Sequence, residues 1–180
     1  MKLSERPLAP NPYDLLPPVP SFQLTSQDLQ DGHPMPQQCT AAGGNISPQL
    51  SWSGFPPETR SFVVTCFDPD APTPSGYWHW VIADIDVSCT ELPQGAGTSD
   101  LELEGAAFHL CNDSGEPAYQ GAAPPAGDYP HRYIFVVHAL DIDSLPITDD
   151  STPAVCSFNT LSHTLARATL IATYQNPQDQ

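Results

Sequence analysis

The chain has 180 residues, of which 21 are acidic and 5 basic, for a formal charge of −16. Proteins that hold nucleic acid or an anionic membrane surface do so with clustered Lys and Arg, and here Lys2, Arg6, Arg60, Arg132 and Arg167 are scattered, so both classes are excluded. Only 14% of residues are charged and 39% are hydrophobic, which sets the chain apart from acidic disordered tails and leaves room for one domain with a core.

Pro7, Pro10, Pro12, Pro17, Pro18 and Pro20 rule out both helix interior and central strand at the start of the chain. Residues 1–20 are therefore expected to form a proline-rich arm, extended along the domain or disordered. No apolar run of signal-peptide type occurs there, and no apolar stretch reaches the ~20 residues of a spanning helix. A cytoplasmic protein with no stable membrane insertion is expected. A single domain should occupy residues 21–176, with a tail at 177–180.

Strand candidates follow at 21–24, 49–52, 61–67, 78–85, 106–111 and 131–140, separated by segments rich in Gly, Pro, Asp and Ser. In 61–68, Phe62, Val64, Cys66 and Asp68 share one face and Val63, Thr65 and Phe67 the other. Both are apolar, so this strand is expected to be central and covered on both sides. Alternation places His79 with Val81, Ala83 and Ile85, opposite Trp80 and Ile82. In 131–140 it places His131, Tyr133, Phe135, Val137 and Ala139 opposite Arg132, Ile134, Val136 and His138. Asp68, His79 and His131 thus stand at the ends of three buried strands. The segment 86–104 carries Asp86, Glu91, Asp100, Glu102 and Glu104 and is expected to face solvent. Near the C-terminus, Phe158, Leu161, Leu165, Ala168 and Ala172 recur at helical spacing. They predict a helix of roughly four turns, with Ser157 as N-cap and Asn176-Pro177 as stop. Among the cysteines no CxxC pair occurs, and Cys66 and Cys156 sit among apolar neighbours as small hydrophobes.

Two segments carry candidate chemistry. In Asp68-Pro69-Asp70-Ala71-Pro72 the prolines stop the strand and hold two carboxylates in place; the plainer reading is a turn in which the aspartates satisfy loose backbone N–H groups. In the run from Tyr119 to Tyr133, a rigid Gly/Pro loop feeds His131 into a buried strand, and such loops bring backbone close to ligands. Two converging imidazoles can each donate to a phosphate oxygen. An aspartate beside one of them, Asp68, would orient it and raise its pKa. Arg132, on the opposite face, is expected to pair with an aspartate.

DPDAP followed by WHW, then GAAPPAGDYPHRYIF, resemble the two signature segments of the phosphatidylethanolamine-binding protein family. Together with NISPQLSWSGFPPETRSFVV and ARATLIATY, the resemblance is to its bacterial, Raf-kinase-inhibitor-like branch and covers about residues 20–175. It implies a mostly β fold: a two-sheet β-sandwich with one main C-terminal helix and short helical segments. It also implies a small pocket for anions such as phosphate or a phospholipid headgroup, lined by Asp68, His79, Pro125, His131 and Tyr133, with Asp70 and Pro72 beside them. Ala123 stands where some members have Gly, which puts the approach of backbone to the anion in question. Tyr174 would reach the mouth from the helix end. The resemblance further implies no cofactor, a homodimer, and a protein partner such as a kinase or protease that is regulated or inhibited. The alternative is a hydrolase using Asp68, His79 and His131 as an acid–base set, for which no nucleophile motif is present. A metal site is the remaining option, and no HxH or HExxH spacing supports it.

Overall fold

The computed structural model describes residues 2–177; of the expected tail only Pro177 falls among them. The strands are β1 (Gln23–Thr25), β2 (Leu50–Ser53), β3 (Ser61–Asp68), β4 (Tyr77–Asp86), β5 (Glu91–Leu92), β6 (Phe108–His109), β7 (His131–Leu140) and β8 (Thr164–Tyr174). The one α-helix among the described residues, α1 (Pro153–Leu161), precedes β8. A five-stranded antiparallel sheet runs β6-β4-β3-β7-β8, and a three-stranded sheet runs β1-β2-β5. The fold is thus the expected two-sheet, mostly β architecture.

Every residue of β3 is buried, as a central strand covered on both faces requires. Phe62, Val64 and Cys66 join Trp80, Phe135 and Val137 in the main core, closed on the other side by Leu50, Trp52 and Leu92 of the small sheet. Val63, on the reverse face, packs with Val81, Ala83, Leu140 and Cys156 of α1 in a smaller cluster. Cys66 and Cys156 are buried in these clusters as small hydrophobes, and burial pushes both thiols up, Cys156 to about 11.

The structure corrects three expectations. The predicted helix through residue 172 ends at Leu161, and its N-cap is Thr152, whose side chain accepts from Val155 N ahead of Pro153. Residues 164–174 instead form an edge strand, because Ala166, Ala168, Leu170 and Ala172 are buried at a spacing of two. The faces of β4 also differ from simple alternation. Irregularities in its pairing with β3, between Val64 and Phe62 and between Cys66 and Phe67, insert extra residues into β4. Ile85 thereby joins the main core, away from Val81 and Ala83. Finally, segment 86–104 is not simply a solvent-facing loop. It contributes β5 to the small sheet, and Leu92, Ala96 and Gly97 are buried.

The proline-rich arm lies along the domain in short 3-10 turns and extended stretches. Polar groups fasten it. Arg132 Nη2 donates to the Ala9 carbonyl at 2.6 Å, Arg167 Nη2 donates to the Pro17 carbonyl at 2.7 Å, and the Tyr13 and Thr65 hydroxyls are 3.2 Å apart.

Candidate functional site

At one end of the large sheet, the last residues of β3 and the first of β4 and β7 meet the 120–131 loop. They enclose a cleft of about 230 Å³. Asp68, Pro72, His79, Ala123, Pro125, His131 and Tyr133, all expected site residues, line it. So do Ala71, Thr73, Tyr77, Gln120 and Pro124. Asp70 does not. Its buried carboxylate faces Arg132, taking Nε at 2.8 Å, Nη2 at 2.7 Å and the Arg132 backbone N–H at 3.0 Å. The arginine therefore has the structural role its face implied.

The β4 irregularity beside Phe67 is what delivers His79. Cys66 pairs with Trp80 and Phe67 with Trp78, so His79 is the extra residue, turned to the side of Tyr133 and away from Val81. Gln120 then fixes its ring. His79 Nδ1 donates to the Gln120 carbonyl at 2.7 Å, and Gln120 N donates back to the His79 carbonyl at 2.9 Å. The 120–131 loop approaches closely because residue 121 is glycine; a Cβ there would lie 2.5 Å from backbone atoms of Thr40 and Ala41. Ala123 needs no left-handed backbone, so its side chain is accommodated without strain.

Asp68 satisfies both readings of its motif at once. One oxygen accepts the N–H groups of Asp70 at 2.7 Å and Ala71 at 3.0 Å; the other accepts from His131 Nδ1 at 2.8 Å. The second nitrogen of His131 is also taken, donating to Asp128 Oδ2 at 3.0 Å. Burial alone would lower the His131 pKa, but the two carboxylates outweigh it and raise it. His79 moves the other way, lowered chiefly by burial against the opposing Gln120 bond. The expectation of two donating imidazoles is corrected accordingly: His131 is held by carboxylates on both sides, and His79 is the imidazole whose Nε2 makes no hydrogen bond among the described residues.

Asp128 and Arg6 were not among the expected site residues. Arg6 Nη1 donates to Asp128 Oδ2 at 2.6 Å, Nη2 donates to the Asp70 carbonyl, and the guanidinium lies 4.5 Å over the Tyr129 ring. The Gly127-Asp128 turn was visible in sequence, but nothing there linked it to an arginine over a hundred residues away. The group thus sets the carboxylates of Asp68, Asp70 and Asp128 against Arg6, Arg132 and His131, whose raised pKa favours its charged form. The Tyr133 hydroxyl, by contrast, is buried without a partner. Tyr174 is a strand residue opposite His131 in the β7–β8 ladder and does not line the cleft. The lining contains no serine or cysteine, and the hydroxyl of Thr73 donates to the Gly76 carbonyl at 2.6 Å. No group of three or more His, Cys, Asp or Glu among the described residues is arranged to hold a metal.

An antiparallel two-sheet fold with a small cleft at the strand ends defines the class. Residues 25–175 match the phosphatidylethanolamine-binding protein family, and the chain belongs to that family. It is 43% identical over 158 residues to the UPF0098 protein YbhB of Escherichia coli, covering 85% of this chain and 99% of that one. The crystal structure of E. coli YbcL, described as a new member of the mammalian PEBP family, superposes with a TM-score of 0.84 at 38% identity, over 87% of this chain and 99% of that one. A Chlamydia trachomatis homologue, titled a putative phosphatidylethanolamine-binding protein, gives 0.75 at 32% identity, over 87% and 98%.

Proposed function

We propose that the chain is a binding protein whose cleft accepts a phosphate group, free or carried by a phospholipid-headgroup-like ligand. The observation that carries this reading is the unpartnered, buried Tyr133 hydroxyl in a cleft that His79 also lines, the two ring centres 5.1 Å apart, and whose one carboxylate, Asp68, is already paired with His131. A buried donor without an acceptor is costly unless a ligand supplies one. His79 donates through Nδ1 to Gln120, so protonation of Nε2 creates a second donor facing the ligand. An anion opposes the burial penalty on that proton, and binding should draw a proton onto His79.

Calorimetric titration with sulfate, whose charge is constant across the range, tests this directly. Affinity should be severalfold higher at pH 5.5 than at pH 8, and His79→Ala should remove binding. A flat pH profile would refute the role of His79, and absence of binding by both sulfate and phosphate would refute the cleft reading. Inorganic phosphate and phosphoethanolamine run side by side separate free phosphate from a headgroup.

A further inference from the structure

The other face of the large sheet holds a second cavity, unrelated to the cleft. It measures about 220 Å³ and lies between the proline-rich arm, the sheet and α1. Tyr13 and Leu16 of the arm cover it, Phe67 and Trp78 form part of its floor, and Leu161 closes it from the helix. The family match begins only at residue 25, so the arm that roofs this cavity lies outside it.

Besides the hydroxyls of Ser157, Thr160 and Thr164, two basic side chains interrupt the apolar lining. His138 is 8% exposed and its Nδ1 is buried without a hydrogen-bond partner. Burial, reinforced by the neighbouring Arg167, pushes its pKa down to about 3, so the ring is neutral and carries one N–H. Arg167 stands directly opposite His138 in the β7–β8 ladder, with its guanidinium 5.7 Å from the Tyr13 ring centre. Arg6, Arg60 and Arg132 each meet a carboxylate, whereas Arg167 has none within 4 Å among the described residues and donates only to a backbone carbonyl. An orphan imidazole and a half-buried guanidinium without a carboxylate partner thus stand at adjacent positions on this lining. Together they form a half-built site for an anionic or strongly accepting head, joined to a body that fills apolar space.

We propose that this cavity binds a small monocarboxylic acid with an aromatic or branched apolar body, its carboxylate received by Arg167 and His138. Size follows from the cavity: an apolar space of ~150 Å³ holds the six carbons of benzene, so 220 Å³ accommodates about nine non-hydrogen atoms. Benzoate has that size and head, and toluene offers the same body without the carboxylate.

Calorimetry on the full chain at pH 7 with these two probes decides the matter. Benzoate should bind saturably, with toluene at least tenfold weaker. Arg167→Gln keeps a donor for the Pro17 carbonyl but removes the charge; it should weaken benzoate at least tenfold and leave toluene unchanged. Ser157→Leu, which fills the cavity from the surface of α1, should abolish both, with an unchanged circular dichroism spectrum showing that the fold is kept. No saturable benzoate binding in the native chain, or benzoate binding undiminished by either substitution, would overturn the proposal. So would loss of benzoate binding in His79→Ala, which would move the acid to the cleft.

Discussion

At the scale of single residues, His131 shows how far burial and charge can be set against each other. Its ring is 1% exposed, yet Asp68 and Asp128 hold both nitrogens and raise its pKa. A histidine raised above its unfolded value of ~6.5 stabilises the fold fully below that pH and loses the contribution as pH climbs through the folded value. Asp68→Asn removes the charge that faces Nδ1 and should cost roughly 3–5 kcal/mol, the usual penalty for breaking a buried pair. Urea unfolding between pH 6 and pH 9 checks both points: the native chain should weaken with rising pH, and the variant should show a shallower decline. An identical slope would mean that His131 does not carry the charge. Tyr133 makes the opposite case. Its hydroxyl has no partner to lose, so Tyr133→Phe should leave the unfolding midpoint unchanged or slightly higher. Sulfate affinity should nevertheless fall about tenfold, equivalent to ~1.4 kcal/mol for one donor. A drop in stability would instead reveal a hidden structural bond at that hydroxyl.

At the scale of elements, legibility followed the regularity of the backbone. β3 and β7 were readable because unbroken alternation is a direct image of side-chain direction, and the structure buries the residues accordingly. The sequence of β8 suggests a helix because Phe158, Leu161, Leu165, Ala168 and Ala172 fall at helical spacing by coincidence. Phe158 and Leu161 are in fact exposed, at 77% and 42%, while the β-branched Thr164, Thr169, Ile171 and Thr173 favour a strand. The motif around His79 identifies the residue, but simple alternation assigns it to the opposite face. A bulge is a property of strand pairing, and nothing in one strand's own composition announces it. Asp128 and Arg6 escaped for a related reason: their pairing depends on where the arm lands. The arm supplies its own test. Arg6 fixes its first residues, whereas Arg132, Tyr13 and Arg167 fasten it from Ala9 onward. Arg6→Ala should therefore open cleavage sites for a non-specific protease only ahead of Ala9, with the domain intact by mass spectrometry. Cleavage running on to residue 20 would show that the later anchors do not hold independently.

At the scale of the whole molecule, the charge of −16 and the proposed anion cleft pull in opposite directions. The carboxylates of Asp68, Asp70 and Asp128 beside the cleft are paired with His131, Arg132 and Arg6, leaving the surplus of carboxylates elsewhere on the chain. A domain of this length has a radius of gyration of about 16 Å. At 0.01 M salt the Debye length is ~30 Å, so an incoming anion meets the repulsion of the entire molecule; at 0.15 M it is ~8 Å, and only groups near the cleft are felt. Anion sites on basic proteins lose affinity as salt rises, because salt screens attraction. Here salt screens repulsion, and the contacts that hold the anion are short-range donors on His79 and Tyr133. Sulfate affinity should thus improve severalfold between 0.01 and 0.15 M sodium chloride at fixed pH, measured by calorimetry. A steady weakening over that range would mean that a local positive field, and not a pair of contact donors, binds the anion.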